Sequence, residues 1–548
     1  MEEPIVKQGE TKAQRPFVHL HTHTEYSLSD GIAKIEALVD KAMNDGMPGM
    51  AITDHANMFG ICEFVECVNR KNAKKNTNFK PIIGCEVYIA RQGMAQKSEK
   101  EDFAGYHLIL LAKNQTGYKN LVKIVSRSWL EGYYGRPRTD HAELERFHEG
   151  LICSSACIGG EVAQHILNND MEAAECAAKW YKSVFGEDYY FELQYHKPTV
   201  ERANHETHKL ETKVNTELVR LSKKLGIKLI CSNDVHFVDE EDAETQDSLL
   251  CINWGKRADD PNRLIFSKQE WLKTSAEMND LFGHIPEALE NTVEICNKVE
   301  HYPIAQEPLI PHPSLPEGID EVEHLARLAF DGAYKLYGKP LPTEVKEGLK
   351  AELRAVNSHH YAPLVLMWHE IVSAAREMGA KMGNDRGFAK SSLLLYCLGI
   401  TQERPTDDGE AFCDYINLGQ GLPALECEFD REGRERVLNW IVERYGEQSV
   451  ANIASRNVFT AKTATMGELQ AEKLIGVLRK MDIHSCGVAI CDGDISEHVP
   501  LAWVESAEYK DAVVVTQYGG DALRRIGVPV LYFLTANTLH YNSEEDAE

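Results

Sequence analysis

No apolar run in this 548-residue chain comes near the roughly 18 residues needed to cross a bilayer, so no membrane partner is expected. The first residues, MEEPIVKQGETKAQRP, lack the apolar core of a secretory leader. The fourteen cysteines show no C-x-x-C spacing of the zinc-finger kind, and most lie in apolar segments such as LICSSAC and LLLYCLG. They read as reduced, buried thiols of a cytoplasmic protein, with Cys157 the exception. Positive charge is short too: 59 Lys and Arg against 85 Asp and Glu leave a net charge of −26. A uniform acidic field repels a phosphate backbone, which argues against an extended, sequence-independent grip on duplex nucleic acid. Part of that acidity sits in the tail SEEDAE, away from the candidate site described next. Hydrophobic content of 43% indicates a globular chain, long enough for roughly two to four domains.

The segment FVHLHTHTEYSLSDG, residues 17–31, carries the strongest signal. In an extended strand the run His19, His21, His23 places its imidazoles on one side. With Asp30 following, such a row can hold a divalent cation. A lone His-x-His pair is more often a polar strand face, so the decision rests on recurrence. Further candidate ligands recur where strands are predicted to end: Asp54 and His55, Glu86, Cys157, and Asp234 with His236, while His107 opens a strand. Helical patterns at 32–44, 60–72, 115–131, 160–168 and 200–225 separate them, which predicts parallel strands covered by helices. In such barrels the chemistry gathers at the C-terminal strand ends.

The blocks HLHTHTEYSLSDG, GMPGMAITDHANMFG, KPIIGCEVYIA, YHLILLAKN and SNDVHF resemble, in order and spacing, the PHP domain (polymerase and histidinol phosphatase) at the front of the alpha subunit of bacterial DNA polymerase III. The resemblance implies an α/β fold, a (β/α)7 PHP barrel with three metal ions. Its ligands fall on His21, His23, Asp30, His55, Glu86, His107, Cys157, Asp234 and His236. By the same resemblance His21, His23, Glu86 and Asp234 hold one ion, Glu86, His107 and Cys157 a second, and Asp30, His55 and His236 a third. Glu86, Asp234 and His236 are assigned the catalytic part, and His19 a supporting or packing role. Imidazoles and carboxylates with one thiolate suit zinc, manganese or iron better than magnesium or calcium. Two to three divalent ions are expected, and three would add about six positive charges to an otherwise acidic chain.

From about residue 300 the chain resembles the same alpha subunit in a degraded form: an α+β palm/thumb module. HYPIAQEPLIPHPSLP reads as a connector. The expected division is an N-terminal extension at 1–15, the PHP domain at 16–300, a linker and thumb-like helices at 301–380, and a degenerate palm-like domain at 381–548. Only about 20 residues separate Lys462 from His484, where the family carries a longer insertion, and no counterpart of its fingers, clamp-binding and OB regions is expected. The family's catalytic aspartates fall on Ala424, Glu426 and Tyr532, and its glycine-rich loop on Arg386-Gly387-Phe388-Ala389-Lys390-Ser391-Ser392. Nucleotidyl transfer needs closely placed carboxylates, so no polymerase activity is expected. Glu426 and Glu428 share a strand face and read as a solvated acidic surface rather than a metal pair.

The expectation is a metal-dependent phosphoester hydrolase, a DNA nuclease of 3′–5′ exonuclease type, with a pseudo-polymerase module for substrate or partner binding. Its partners would be DNA as single strands or 3′ ends, or nucleotides, and a protein partner or second copy through the C-terminal half. The alternatives are a nucleotide or small-molecule phosphatase, and a non-enzymatic binding module with structural metals.

Overall fold

A computed structural model describes residues 15–98, 103–313, 315, 318–405, 412–417, 421–466, 469–470, 472–505 and 512–535. Residues 1–14 of the N-terminal extension and the SEEDAE tail lie outside the described residues. Two compact units emerge: 1–302 with 456–480, and 303–455 with 481–548. The stretch 456–480, which sequence order assigns to the palm-like region, thus packs with the first unit. Among the described residues no helix is long and apolar enough to cross a membrane.

The first unit is built on seven strands: β1 (Gly49–Ile52), β2 (Lys80–Ile89), β3 (Tyr106–Ala112), β4 (Arg138–Thr139), β5 (Leu151–Ser154), β6 (Tyr189–Leu193) and β7 (Lys228–Cys231). They pair in the order β1-β2-β3-β5-β6-β7, with β4 beside β2. The extended segment carrying the histidine row closes the sheet. On one side Ala51 and Thr53 donate to the carbonyls of His19 and Thr22, each at 2.8 Å; on the other His23 donates to Val235 at 2.7 Å. Helices fall near the predicted spans, at Ile35–Asn44, Ile61–Lys75, Gln115–Leu130, Glu161–Leu167 and Glu206–Leu225.

One strand departs from the all-parallel expectation. β3 runs antiparallel to both β2 and β5. No α-helix lies between β2 and β3 among the described residues, and a parallel pair needs a crossover connection. The reversal matters for the site. Because β3 points the other way, its first residues lie beside the last residues of β2, with Tyr88 opposite His107. A strand opening is thereby brought to the edge where the other strands close. One apolar cluster takes Val18, Leu20, Ala51, Ile82, Ile109, Ile152, Tyr190 and Ile230 from around the sheet and Ile295 and Cys296 from the helix Pro286–Lys298.

The second unit holds a six-stranded sheet of β8 (Leu425–Phe429), β9 (Val450–Val458), β10 (Leu478–Ile490), β11 (Leu501–Val504), β12 (Val513–Thr516) and β13 (Val530–Thr535), in the order β11-β12-β9-β10-β13-β8. Strands β9 and β10 each run on into the 456–480 stretch of the first unit. Helix Ala362–Glu377 is buried along most of its length, from Leu364 through Trp368 to Ile371, as expected of a helix apolar nearly all round.

Candidate metal centre

All nine residues expected to bind metal come together at one edge of the first sheet. His21 and His23 arrive on the closing segment, His55 lies past β1, His107 opens β3, and Cys157 lies past β5. Asp234 and His236 lie past β7. Glu86 is not at a strand end: β2 continues to Ile89, and a parallel bridge from His55 to Glu86 extends the β1–β2 pairing. Asp54, one residue before His55, takes no part. Its buried carboxylate accepts from the Thr24 backbone at 2.6 Å and from the Ser27 hydroxyl at 3.0 Å, bracing the loop instead.

Four donor atoms converge. His21 Nε2 lies 2.7 Å from Glu86 Oε2 and 3.1 Å from Asp234 Oδ1, while His23 Nε2 lies 3.2 Å from each of the same two oxygens. The two Nε2 atoms face each other at 3.1 Å. Their tautomers follow from the opposite ring nitrogens. His21 Nδ1 donates to Glu192 at 2.7 Å, and His23 Nδ1 is 2.9 Å from the Ser27 hydroxyl. His236 Nδ1 is 2.7 Å from the Asp234 carbonyl, which can only accept. Once its Nε2 is deprotonated, each ring can turn that nitrogen's lone pair to the site, the arrangement by which buried carboxylates and carbonyls orient metal-binding imidazoles. Beside this group Glu86 Oε1 contacts His107 Nδ1, which is 3.5 Å from Cys157 Sγ. On the other side His55 Nε2 lies 3.3 Å and His236 Nε2 3.9 Å from the Asp30 carboxylate.

Buried polar atoms normally find partners, yet Asp30 Oδ1, His55 Nδ1, Glu86 Oε1 and Asp234 Oδ1 make no well-formed hydrogen bond. Charge is equally unbalanced. Burial disfavours the ionised carboxylates, but the surrounding imidazoles overcome it and hold Glu86, Asp234 and Asp30 below the usual range. Burial likewise opposes protonation of His21 and His55, yet neighbouring groups, Asp234 and Glu192 for His21, raise both well above the ordinary value. Burial, with Asp234 and Glu86 nearby, pushes the Cys157 thiol up. Protons thus stand where cations would sit, and the donor set fits divalent ions.

The backbone is strained at the same places. Asp234 adopts φ 44°, and Ala56 and Ala156, neighbours of His55 and Cys157, adopt φ 48° and 55°. Left-handed conformations in residues other than glycine cost about 1–2 kcal/mol each. At Gly159 an added Cβ would stand 3.0 Å from the His107 ring, so a side chain there would press on that imidazole. His19 takes no part in the cluster: it is fully buried, and its Nε2 bonds the Lys273 carbonyl at 2.8 Å.

Sequence reading missed several residues here. Glu192, buried on β6, orients His21 and is held in turn by Ser154, Ser232 and Gln194. A glutamate inside an apolar strand, YYFEL, was the available signal. Above the donors opens a cavity of about 360 Å³ whose lining includes Arg136, Tyr88, Trp254 and Phe266. The Arg136 guanidinium lies 4.9 Å over the Tyr88 ring, and Trp254 is 55% exposed.

In the second unit Glu428 corrects the expected solvated face. It is buried and paired with Arg386 at 2.9 Å. Glu426 stands opposite Tyr532 in the β13–β8 register, and Ala424 just precedes β8.

Residues 19–196 match the PHP domain family, and residues 323–469 match the family described as the bacterial DNA polymerase III alpha NTPase domain. The DNA polymerase III subunit alpha of Borreliella burgdorferi is 34% identical over 95% of this chain and 48% of its own length. That of Treponema pallidum is 32% identical over 96% of this chain and 48% of its own length. The chain therefore spans about half the length of these curated relatives. Among solved structures, the histidinol phosphate phosphatase of Lactococcus lactis, complexed with zinc, histidinol and phosphate, is 12% identical over 47% of this chain and 99% of that one, with a TM-score of 0.23. That likeness is too slight to bear on the chemistry. A PHP domain followed by a polymerase III alpha segment, with homology running through nearly the whole chain, makes this protein a relative of the DNA polymerase III alpha subunits.

Proposed function

We propose that this chain is a metal-dependent phosphoester hydrolase: a nuclease acting on the 3′ ends of single-stranded DNA. The observation that carries the reading is the convergence of His21, His23, Glu86 and Asp234 within one cluster of donor atoms, flanked by the other five predicted ligands. Two to three ions of zinc, manganese or iron suit the set, with Glu86 offering one oxygen to each side. Such ions, when bound, supply a nucleophile at neutral pH and neutralise charge on the phosphoryl oxygens.

The chain's own residues do the rest. Glu192 and Ser27 fix the tautomers of His21 and His23, and His236 keeps its Nε2 lone pair toward Asp30. A cavity of about 360 Å³ lies near the small end of small-molecule sites and takes one nucleotide rather than a duplex. Arg136 is placed to meet a phosphate, and exposed Trp254 offers a face on which a terminal base can stack. In the second unit the family's aspartate positions hold Ala424, Glu426 and Tyr532, and the neighbouring Glu428 is paired with Arg386, where nucleotidyl transfer needs closely placed carboxylates free to hold metal. We assign that unit to positioning substrate, a protein partner or a second copy of the chain, without polymerase activity.

The test incubates metallated protein with single-stranded DNA, duplex DNA, RNA and free nucleotides. Shortening of single strands from the 3′ end is the expected result. Release of phosphate from nucleotides alone would move the assignment to a phosphatase. Bound metal with no hydrolysis of any substrate would leave a binding module with structural metals, and would overturn the proposal.

A further inference from the structure

The stretch 456–480 reaches the metal centre through Glu25. This residue follows His23 by two positions, on the loop that also carries Ser27 and Asp30, and is 3% exposed. Its carboxylate is held from the far end of the sequence: Arg456 Nη2 lies 2.8 Å from Oε1, and the Leu478 backbone N–H donates to Oε2 at 2.8 Å. Arg456 also contacts Glu63 at 3.0 Å, which accepts from the Tyr26 hydroxyl at 2.8 Å. Its guanidinium lies 5.0 Å from the centre of the Tyr26 ring. The same stretch buries Phe459, Leu474 and Val477 against Ile32 and Phe237, and Ile32 donates to the carbonyl of His236 at 3.0 Å. One segment therefore grips both metal-bearing loops, the one after His23 and the one around His236.

We propose that Arg456 is a positioning residue for the metal centre, fixing Glu25 and through it the loop that aims His23 and Asp30. The inference rests on the metal-centre reading given above. A buried carboxylate that loses its cation must find water or a new partner. Arg456 and the Leu478 amide hold Glu25 in one position on the short segment between His23 and Asp30, so a carboxylate released on one side is free to shift that segment. An ion pair that merely decorated the surface would leave the metal site unchanged.

The test titrates Co²⁺ into metal-free full-length protein, reading affinity, number of ions and the visible absorption spectrum. Arg456→Ala is expected to weaken the most loosely bound ion by about 10- to 100-fold, the range typical of residues supporting metal ligands. The spectrum should change, and Arg456→Lys should recover part of the loss. Wild-type affinity and spectrum in Arg456→Ala would overturn the inference, and no Co²⁺ binding by the unaltered protein would overturn the metal-centre reading itself. If Arg456→Ala does not fold, Glu63→Gln, which removes the outer partner of Arg456, should weaken the same ion to a smaller degree; unchanged affinity there also overturns the inference.

Discussion

Glu86 is the residue on which the candidate centre turns, because its two oxygens face different groups: Oε2 toward His21 and His23, Oε1 toward His107 and His55. Glu86→Gln keeps the shape and removes the charge. Hydrolysis should fall by several orders of magnitude, on the order of 4 kcal/mol or more in the barrier, and elemental analysis should show fewer ions than the two to three expected of the parent. Asp234→Asn should behave alike. Melting temperature should fall only modestly if the centre is catalytic, since the remaining ligands still hold an ion. A large drop in melting temperature with no activity to lose would instead mark the metals as structural. Glu192→Gln makes a subtler case: it leaves every proposed ligand in place but weakens the hold on His21 Nδ1, so metal affinity should drop about 10- to 100-fold. Most of these candidate ligands were legible because a histidine or carboxylate near a strand boundary is conspicuous; Glu86, expected at such a boundary, lies inside β2. Glu192 was not legible, since one acidic residue in YYFEL looks the same whether it supports a ligand or pairs elsewhere.

At the scale of elements, the alternation of apolar runs and helical patterns disclosed the barrel-like sheet but not the reversal of β3. Sequence marks where a strand begins, not which way it faces, and only the lack of a helical pattern in the sequence between residues 90 and 106 hinted at the turn back. Left-handed backbone at Ala56 and Ala156 was equally invisible, for alanine carries no signal of positive φ. One element-level contact gives a pH prediction. His196, just after β6, packs its Nδ1 against Glu211 of helix Glu206–Leu225 at 2.6 Å and its Nε2 against the Asn233 carbonyl at 3.0 Å. Burial opposes its charge, but Glu211 and Glu270 prevail and raise its pKa from 6.5 to about 9. A raised value means that folding favours the protonated ring. Its contribution, on the order of 3 kcal/mol, is complete below about pH 6.5 and lost as pH rises through about 9. The melting temperature should decline across that window, and the decline should be markedly shallower in the double variant His196→Leu/Glu211→Leu.

For the whole molecule, linear order and spatial grouping disagree, and that disagreement decides what a truncation does. The sequence suggested a PHP domain confined to residues 16–300. Yet Phe459, Ala464, Leu474 and Val477 are buried in one cluster with Ile32, Phe237, Leu249 and Trp271. No periodicity could have shown this, because a contact across more than two hundred residues leaves no local trace. Burying a phenylalanine in such a cluster is worth about 3–5 kcal/mol, measured as Phe→Ala, against the roughly 5–15 kcal/mol of a typical folded domain. A fragment ending at residue 302 should therefore melt well below the intact chain and bind metal poorly, with Arg456 and the Leu478 amide gone from Glu25. Phe459→Ala in the full-length protein should reproduce part of that loss. Thermal melts and metal titrations of the two together check the prediction. If the fragment melts and binds metal as the full chain does, the 456–480 stretch contributes neither stability nor order to the first unit.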